Sequence, residues 1–208
     1  GSMVYLSPAP LYHAAPIGWC TTAQRLGGTV VVMEKFDPEH ALETIEKYKI
    51  TDSQWVPTHF VRMLKLDPEV RTRYDLCSHQ RALHAAAPCP VPIKREMIEW
   101  WGPIINEYYA GSEGVGMTLI KAEDWLTHPG SVGKAIHGTL HVCDAEGEEV
   151  PAGQDGLLYF ENDLIPTYHN DPEKTREAMH PKGWMTLGDI GHVDEDGFLY
   201  LTDRKSHM

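Results

Sequence analysis

From Val4 to about Leu119, short apolar runs alternate with segments whose apolar residues recur at helical spacing. That rhythm constrains the fold more than any other feature of the chain. Val4-Tyr5-Leu6 reads as a strand. Gly28-Thr29-Val30-Val31-Val32-Met33 is a continuous apolar run, as expected of a buried strand. Asp37-Pro38 then opens a helix, with Asp as N-cap and Pro at the first helical position. Ala41, Leu42, Ile45 and Tyr48 line one face of it. Ser53-Gln54-Trp55-Val56 is the next strand, ended by Pro57, and a helix is expected from Thr58 to Leu66. A further helix runs from about Pro92 to Trp101 and is closed by Gly102 and Pro103. Ile104 to Tyr109 reads as a strand entering a glycine-bearing turn. Strands that alternate with helices in this way predict an α/β fold with a mostly parallel sheet and flanking helices.

After about Pro129 the period changes. Leu140-His141-Val142-Cys143 and Gly156-Leu157-Leu158-Tyr159-Phe160 are short strands between polar turns. Asp196-Gly197 separates His192-Val193 from Phe198-Leu199-Tyr200-Leu201, a hairpin signal. Asp171-Pro172-Glu173-Lys174-Thr175 opens one short helix. The expectation is a small antiparallel, β-barrel-like subdomain. The organisation read from the sequence is a cloning scar at 1–3, an α/β region at 4–128, a β-rich region at 129–202, and the start of a hinge at 203–208.

The 208 residues allow a sizeable core, and 42% hydrophobic residues fit a globular protein. A net charge of -12 argues against a nucleic-acid surface, which wants a basic stripe. No apolar run is long enough to cross a bilayer. Cys20, Cys77, Cys89 and Cys143 are scattered, with no CxxC and no HExxH, and the twelve histidines share no ligand spacing. Buried free cysteines, surface histidines and a reducing, cytoplasmic setting are expected.

Four motifs carry chemistry when taken together, though each has a bland reading alone. His13 in Pro10-Leu11-Tyr12-His13 is, by itself, a polar loop residue. The small residues of Leu83-His84-Ala85-Ala86-Ala87-Pro88 let a flat ligand approach the backbone, or simply pack closely. Tyr109-Ala110-Gly111-Ser112-Glu113-Gly114 puts a ring, a hydroxyl and a carboxylate on a tight turn at a strand's end, where α/β sheets bind ligands. A carboxylate beside a hydroxyl suits Mg²⁺ and a phosphate oxygen. Asp189, after the glycine turn of Gly183-Trp184-Met185-Thr186-Leu187-Gly188, and Arg204, at the end of the next hairpin, are a pair suited to gripping ribose hydroxyls.

In this order the motifs resemble those of the adenylate-forming (AMP-binding) superfamily, and the resemblance runs from Val4 to Ser206. Pro10-Leu11-Tyr12-His13 resembles that family's Pro-Leu-Phe-His, Val56-Pro57-Thr58 its Val-Pro-Thr turn, and Tyr109-Ala110-Gly111-Ser112-Glu113 its Tyr-Gly-x-Thr-Glu. Ala85-Ala86-Ala87-Pro88 takes the place of Gly-Gly-Ala-Pro. The resemblance implies that Ala85, Ala86, Ala87 and Pro88 border adenine, that Tyr109 stacks on it, and that Asp189 and Arg204 contact ribose. It further implies that Ser112 meets phosphate, that Glu113 holds Mg²⁺, and that His13 lines the acyl and pantetheine channel. Acyl-pocket candidates are His13, Ala14, Ala15, Trp19, His59, Phe60, Ala86, Ala110 and Met117. The chain departs from the pattern at Ala85-Ala86, at Ala110 and at Leu187, and Asn162 stands where a glycine is usual.

The family's phosphate loop and its C-terminal domain with the catalytic lysine are not in these residues, and Lys205 is not that lysine. The expectation is therefore an internal piece of an AMP-forming acyl-CoA synthetase, inactive alone and prone to self-association through uncovered apolar surface. The parent would use ATP, CoA and Mg²⁺. Small residues near the acyl channel favour a fatty acid. An aryl-CoA ligase, an acyl-AMP ligase, a peptide-synthetase adenylation domain, a non-catalytic nucleotide-binding module and a histidine-based metalloprotein are the competing readings.

Overall fold

The computed structural model describes residues 3–204. Of the expectations above, the scar at Gly1-Ser2 and the hinge residues from Lys205 onward lie outside them. The elements in chain order begin β1 (Val4–Ser7), α1 (Ala14–Arg25), β2 (Thr29–Val32), α2 (Pro38–Tyr48), β3 (Asp52–Trp55), α3 (Pro57–Leu64) and α4 (Pro68–Arg71). They continue with β4 (Arg81–His84), α5 (Val91–Trp101), β5 (Ile105–Ala110), β6 (Met117–Ile120), α6 (Ala122–Thr127), β7 (Lys134–His137) and β8 (Thr139–Cys143). The last four are β9 (Gly156–Glu161), α7 (Pro172–Glu177), β10 (Met185–Val193) and β11 (Leu199–Arg204). Contacts divide the chain into two compact units, 1–107 with 121–126, and 108–120 with 127–208.

In the first unit the parallel strands lie in the order β2-β1-β3-β4-β5. This is a doubly wound order, in which ligand sites gather beyond the carboxyl ends of the strands. The segments following those ends are the ones singled out by motif: Pro10–His13 after β1, Val56-Pro57-Thr58 after β3 and Ala85–Pro88 after β4. The Asp37 carboxylate caps α2 by accepting from the His40 N–H at 2.9 Å. Leu42 and Ile45 of that helix are wholly buried, each contributing about 1.5–3 kcal/mol. Trp55, Phe60 and Trp101 pack ring against ring, with centroids 5.4 to 6.4 Å apart.

Two expectations need correction here, and one helix stands outside them. β2 is not a buried strand: it lies at the end of the strand order and Val32 is 47% exposed. An all-apolar run fixes strand propensity, but burial depends on how many neighbours cover it. α1 carries a weak sequence signal, because Pro16, Gly18, Thr21 and Thr22 lower its helix propensity. Both threonine hydroxyls are satisfied by donating back to the Gly18 carbonyl, at 2.9 and 2.8 Å. The expectation of surface histidines and buried cysteines is also only partly met. His59, His79, His84 and His180 are buried, whereas Cys77 is exposed.

In the second unit β6 and β7 pair antiparallel, and the barrel-like subdomain takes the form of a four-stranded antiparallel sheet ordered β11-β10-β9-β8. Val115, Phe160 and Met185 form one core cluster, and Val132, Val142, Leu158 and Leu199 another. No described helix is long and apolar enough to cross a membrane.

Candidate functional site

Asp189 lies within β10 rather than on a free turn. Thr186 and Ile190 pair with β9 on either side of a register shift, and Leu187-Gly188-Asp189 fills the gap. Such a bulge re-aims side chains. Gly188 takes φ +83°, a left-handed value that suits glycine, and its N–H donates to Thr186 Oγ1 at 2.9 Å. Asp189 pairs directly with Arg204 across β10 and β11. Its Oδ2 accepts the Tyr109 hydroxyl at 2.6 Å, and Arg204 Nε lies 3.4 Å from Oδ1. The carboxylate is 17% exposed while the guanidinium is 59% exposed. Burial, and then the bond to Asp189, raise the Tyr109 hydroxyl above its ordinary range. Both effects favour the protonated phenol as the donor to Asp189.

The turn after β5 closes through the Gly114 N–H, which donates to the Gly111 carbonyl at 3.1 Å. Ser112 and Ala110 are exposed on it, and Met117 at the start of β6 is half-buried. Gly111 permits a close approach: a Cβ there would stand 2.6 Å from Leu187 Cδ2 and 2.7 Å from Glu113 Oε2, so those side-chain ends would have to shift. Leu187 thus packs over the turn as part of the Phe160 cluster. Glu113 Oε1 accepts the Tyr168 hydroxyl at 3.0 Å. Within the second unit Tyr109 thus bonds Asp189, Arg204 faces the same carboxylate, and Tyr168, a residue outside the motifs, bonds Glu113, which follows the exposed Ser112 on the turn.

The first unit positions the other candidates. His13 is exposed at the N-cap of α1 with its ring 4.4 Å from that of Tyr12. Ala14 is exposed, Ala15 half-buried, and Trp19 packs on the Tyr5-Cys20-Ala23 cluster. His59 is buried, stacks on Phe36 at 4.0 Å and accepts the Val56 N–H at 3.4 Å. Burial, with Arg62 adding to it, lowers His59 to about 4, so the ring is neutral. Phe60 is fully buried in the tryptophan cluster. Ala85 is buried, while Ala86, Ala87 and Pro88 are exposed in the loop beyond β4. Ala86 holds φ +77°, a value that a non-glycine residue adopts at a cost of about 1–3 kcal/mol.

Two features escaped the sequence reading. Tyr168 gives no local signal, because a tyrosine ahead of a capped helix looks like any loop aromatic. The other is a buried ion pair, Lys94 Nζ to Glu107 Oε2 at 2.6 Å, with His84 Nε2 3.4 Å from the same oxygen. Lys94 and His84 are wholly buried. A signal existed here: Lys94 shares the helical stripe of Met97, Ile98 and Trp101. Burial lowers Lys94 and raises Glu107, and their mutual attraction partly offsets both shifts. Burial, helped by the Lys94 charge, holds His84 well below the ordinary range, so it is neutral.

Among the described residues no three His, Cys, Asp or Glu side chains are placed to hold a metal ion. Mg²⁺ does not need such a cage. It keeps several waters and takes one or two carboxylates together with substrate phosphates. Glu113, one carboxylate on an open turn beside the exposed Ser112 hydroxyl, fits that donor set.

A doubly wound parallel sheet followed by an antiparallel sheet is the α/β fold of the adenylate-forming class. A family model described as "AMP-binding enzyme" matches residues 1–167, and the chain belongs to that family. The chain is 33% identical to 4-coumarate--CoA ligase-like 6 of Oryza sativa subsp. japonica, over 99% of this chain and 35% of that protein. It is 32% identical to a long-chain-fatty-acid--CoA ligase of Bacillus subtilis, over 88% of this chain and 33% of that one. Among solved structures, the amide bond synthetase McbA of Marinactinospora thermotolerans superposes with a TM-score of 0.87 at 29% identity, covering 99% of this chain and 42% of that one. The N-terminal domain of FACL13 from Mycobacterium tuberculosis superposes with a TM-score of 0.85 at 28% identity, covering 97% and 51%. The chain therefore spans about a third of the length of these two curated relatives.

Proposed function

We propose that the whole protein is an AMP-forming acid–thiol ligase that activates a fatty acid with ATP and passes the acyl group to CoA. In this reading a carboxylate oxygen attacks the α-phosphorus and pyrophosphate leaves. The CoA thiolate then attacks the acyl carbonyl and AMP leaves. The observation that carries the reading is the Asp189 carboxylate, held by the Tyr109 hydroxyl and facing Arg204. In this reading Asp189 and Arg204 contact the ribose, the Tyr109 ring stacks on adenine, and Ser112 meets phosphate. Glu113 would hold Mg²⁺, which when bound supplies charge neutralisation for attack of one anion on another. In the first unit Ala85, Ala86, Ala87 and Pro88 are proposed to border adenine. His13, Ala14, Ala15, Trp19, His59, Phe60 and Ala86 are proposed acyl-side residues, as are Ala110 and Met117 in the second unit. We take the β-rich region to end at Thr202 and residues 203–208 to begin an interdomain hinge, with ATP, the acid and CoA as the partners and the cytoplasm as the setting.

Small, exposed Ala14, Ala86 and Ala110 support an alkyl acid. The relative named for 4-coumarate supports an aromatic one as the second reading. The test is pyrophosphate release by the intact protein with ATP, Mg²⁺ and a panel of octanoate, palmitate, 4-coumarate and benzoate, with and without CoA. Preference for the fatty acids is expected. Preference for 4-coumarate overturns the choice of acid, and an acyl-adenylate that CoA never discharges points to an acyl-AMP ligase. Nucleotide binding without pyrophosphate release leaves a binding module.

A further inference from the structure

We propose that Tyr168 is a positioning residue for Glu113, fixing one carboxylate oxygen so that the side chain is ordered before a nucleotide-borne cation arrives. This rests on the reading of Glu113 as the cation-binding carboxylate. Tyr168 stands 55 residues from Glu113 in sequence, and its hydroxyl donates to Oε1 at 3.0 Å. Oε2 lies over Gly111, where a Cβ would come within 2.7 Å of it. One oxygen is thus tied, and the other sits close over Gly111.

Tyr168 is itself held from several sides. Its N–H donates to Thr175 Oγ1 at 2.9 Å, and its carbonyl accepts the Asp171 N–H at 3.2 Å. Thr175 Oγ1 donates to the Asp171 carbonyl at 2.9 Å, and the Asp171 carboxylate caps α7 by accepting from the Lys174 N–H at 2.9 Å. The Tyr168 ring packs against the Val115-Phe160-Met185 cluster, and the Lys174 ammonium stands 4.1 Å over its centroid. A cation over the ring face draws electron density from the phenol and strengthens its hydroxyl as a donor. A flexible carboxylate ordered in advance loses less freedom when a ligand binds.

The test compares wild type, Tyr168→Phe and Lys174→Met. In the intact protein, binding of the Mn²⁺–ATP complex is followed by electron paramagnetic resonance, and pyrophosphate release is followed against Mg²⁺ concentration. Tyr168→Phe is expected to weaken Mn²⁺–ATP binding about three- to tenfold, less than the full worth of a charge-assisted bond because the bound cation itself orders Glu113. The half-saturating Mg²⁺ concentration rises by the same factor, with kcat at saturating Mg²⁺ within about twofold of wild type. Lys174→Met, on an exposed position, shifts both in the same direction by less. Hydrogen exchange of this chain gives a readout independent of activity: Tyr168→Phe speeds exchange at residues 111–116 and leaves β3 and β4 unchanged. Unchanged Mn²⁺–ATP binding in a folded Tyr168→Phe variant overturns the proposal, whatever the exchange shows. If wild type itself binds no Mn²⁺–ATP, the reading of Glu113 fails and the positioning role falls with it. That result is distinguishable because it appears before any substitution.

Discussion

Ala86 holds its backbone at φ +77° without being a glycine. Relieving that conformation gains about 1–2 kcal/mol, and glycine's extra freedom in the unfolded chain takes back about 0.4–1. Ala86→Gly is therefore expected to raise stability by up to about 1.5 kcal/mol, read as a higher urea midpoint at unchanged m-value. A lower midpoint would show that the loop depends on the methyl group. Asp189 makes the second prediction at this scale. Its carboxylate takes one bond from Tyr109 and faces Arg204. Asp189→Ala in the intact protein should weaken ATP binding by about 1.5–3 kcal/mol, roughly ten- to a hundredfold, measured by calorimetry. Wild-type affinity would remove Asp189 from the nucleotide site.

At the scale of elements, the bulge in β10 and the turn after β5 are fitted to each other. Gly111 leaves room for Leu187, and Leu187 belongs to the Phe160 cluster. Gly111→Ala makes the ends of the Leu187 and Glu113 side chains shift, and because both are flexible the cost is about 1 kcal/mol, the low end for overpacking. Adding Leu187→Ala should recover part of the loss in a double-mutant cycle, and strict additivity would deny the contact. α5 and β5 are joined by the buried Lys94–Glu107 pair. Lys94→Met leaves Glu107 buried without its cation and is expected to cost about 3–5 kcal/mol in chemical denaturation. Lys94→Met with Glu107→Leu should restore most of that, since a buried pair exchanged for apolar groups is often neutral.

For the whole molecule, buried histidines set the response to acid. Burial holds His59 and His79 at about 4, below the ordinary 6.5. Between these values the unfolded chain binds more protons than the folded one. Their contribution to stability is complete above pH 6.5 and is lost as pH falls toward 4, by at most about 1.4 kcal/mol per pH unit for each ring. His59 sits among Phe36, Trp55 and Arg62, and His79 against Ser53, Trp101 and the Asp52 charge. The urea midpoint should fall from pH 7 to pH 5, and His59→Gln with His79→Gln should flatten that fall. A slope unchanged in the double variant would assign the acid sensitivity elsewhere.

The sequence by itself determined the class of fold and the residues of the motifs. Strand runs, the Asp37 and Asp171 caps and the Asp196-Gly197 turn are local signals, and local signals survive without knowledge of the fold. It also determined the family, because the ordered motifs are carried by residue identity alone. Tertiary structure alone decided which apolar run lay at an edge, since burial of Val32 depends on neighbours remote in sequence. It decided that Asp189 belongs to a bulged strand facing Arg204, because register arises from pairing between strands. It also decided that Tyr168 meets Glu113 and Lys94 meets Glu107. Those partners are separated by 55 and 13 residues, and no periodicity within a helix or strand links such positions.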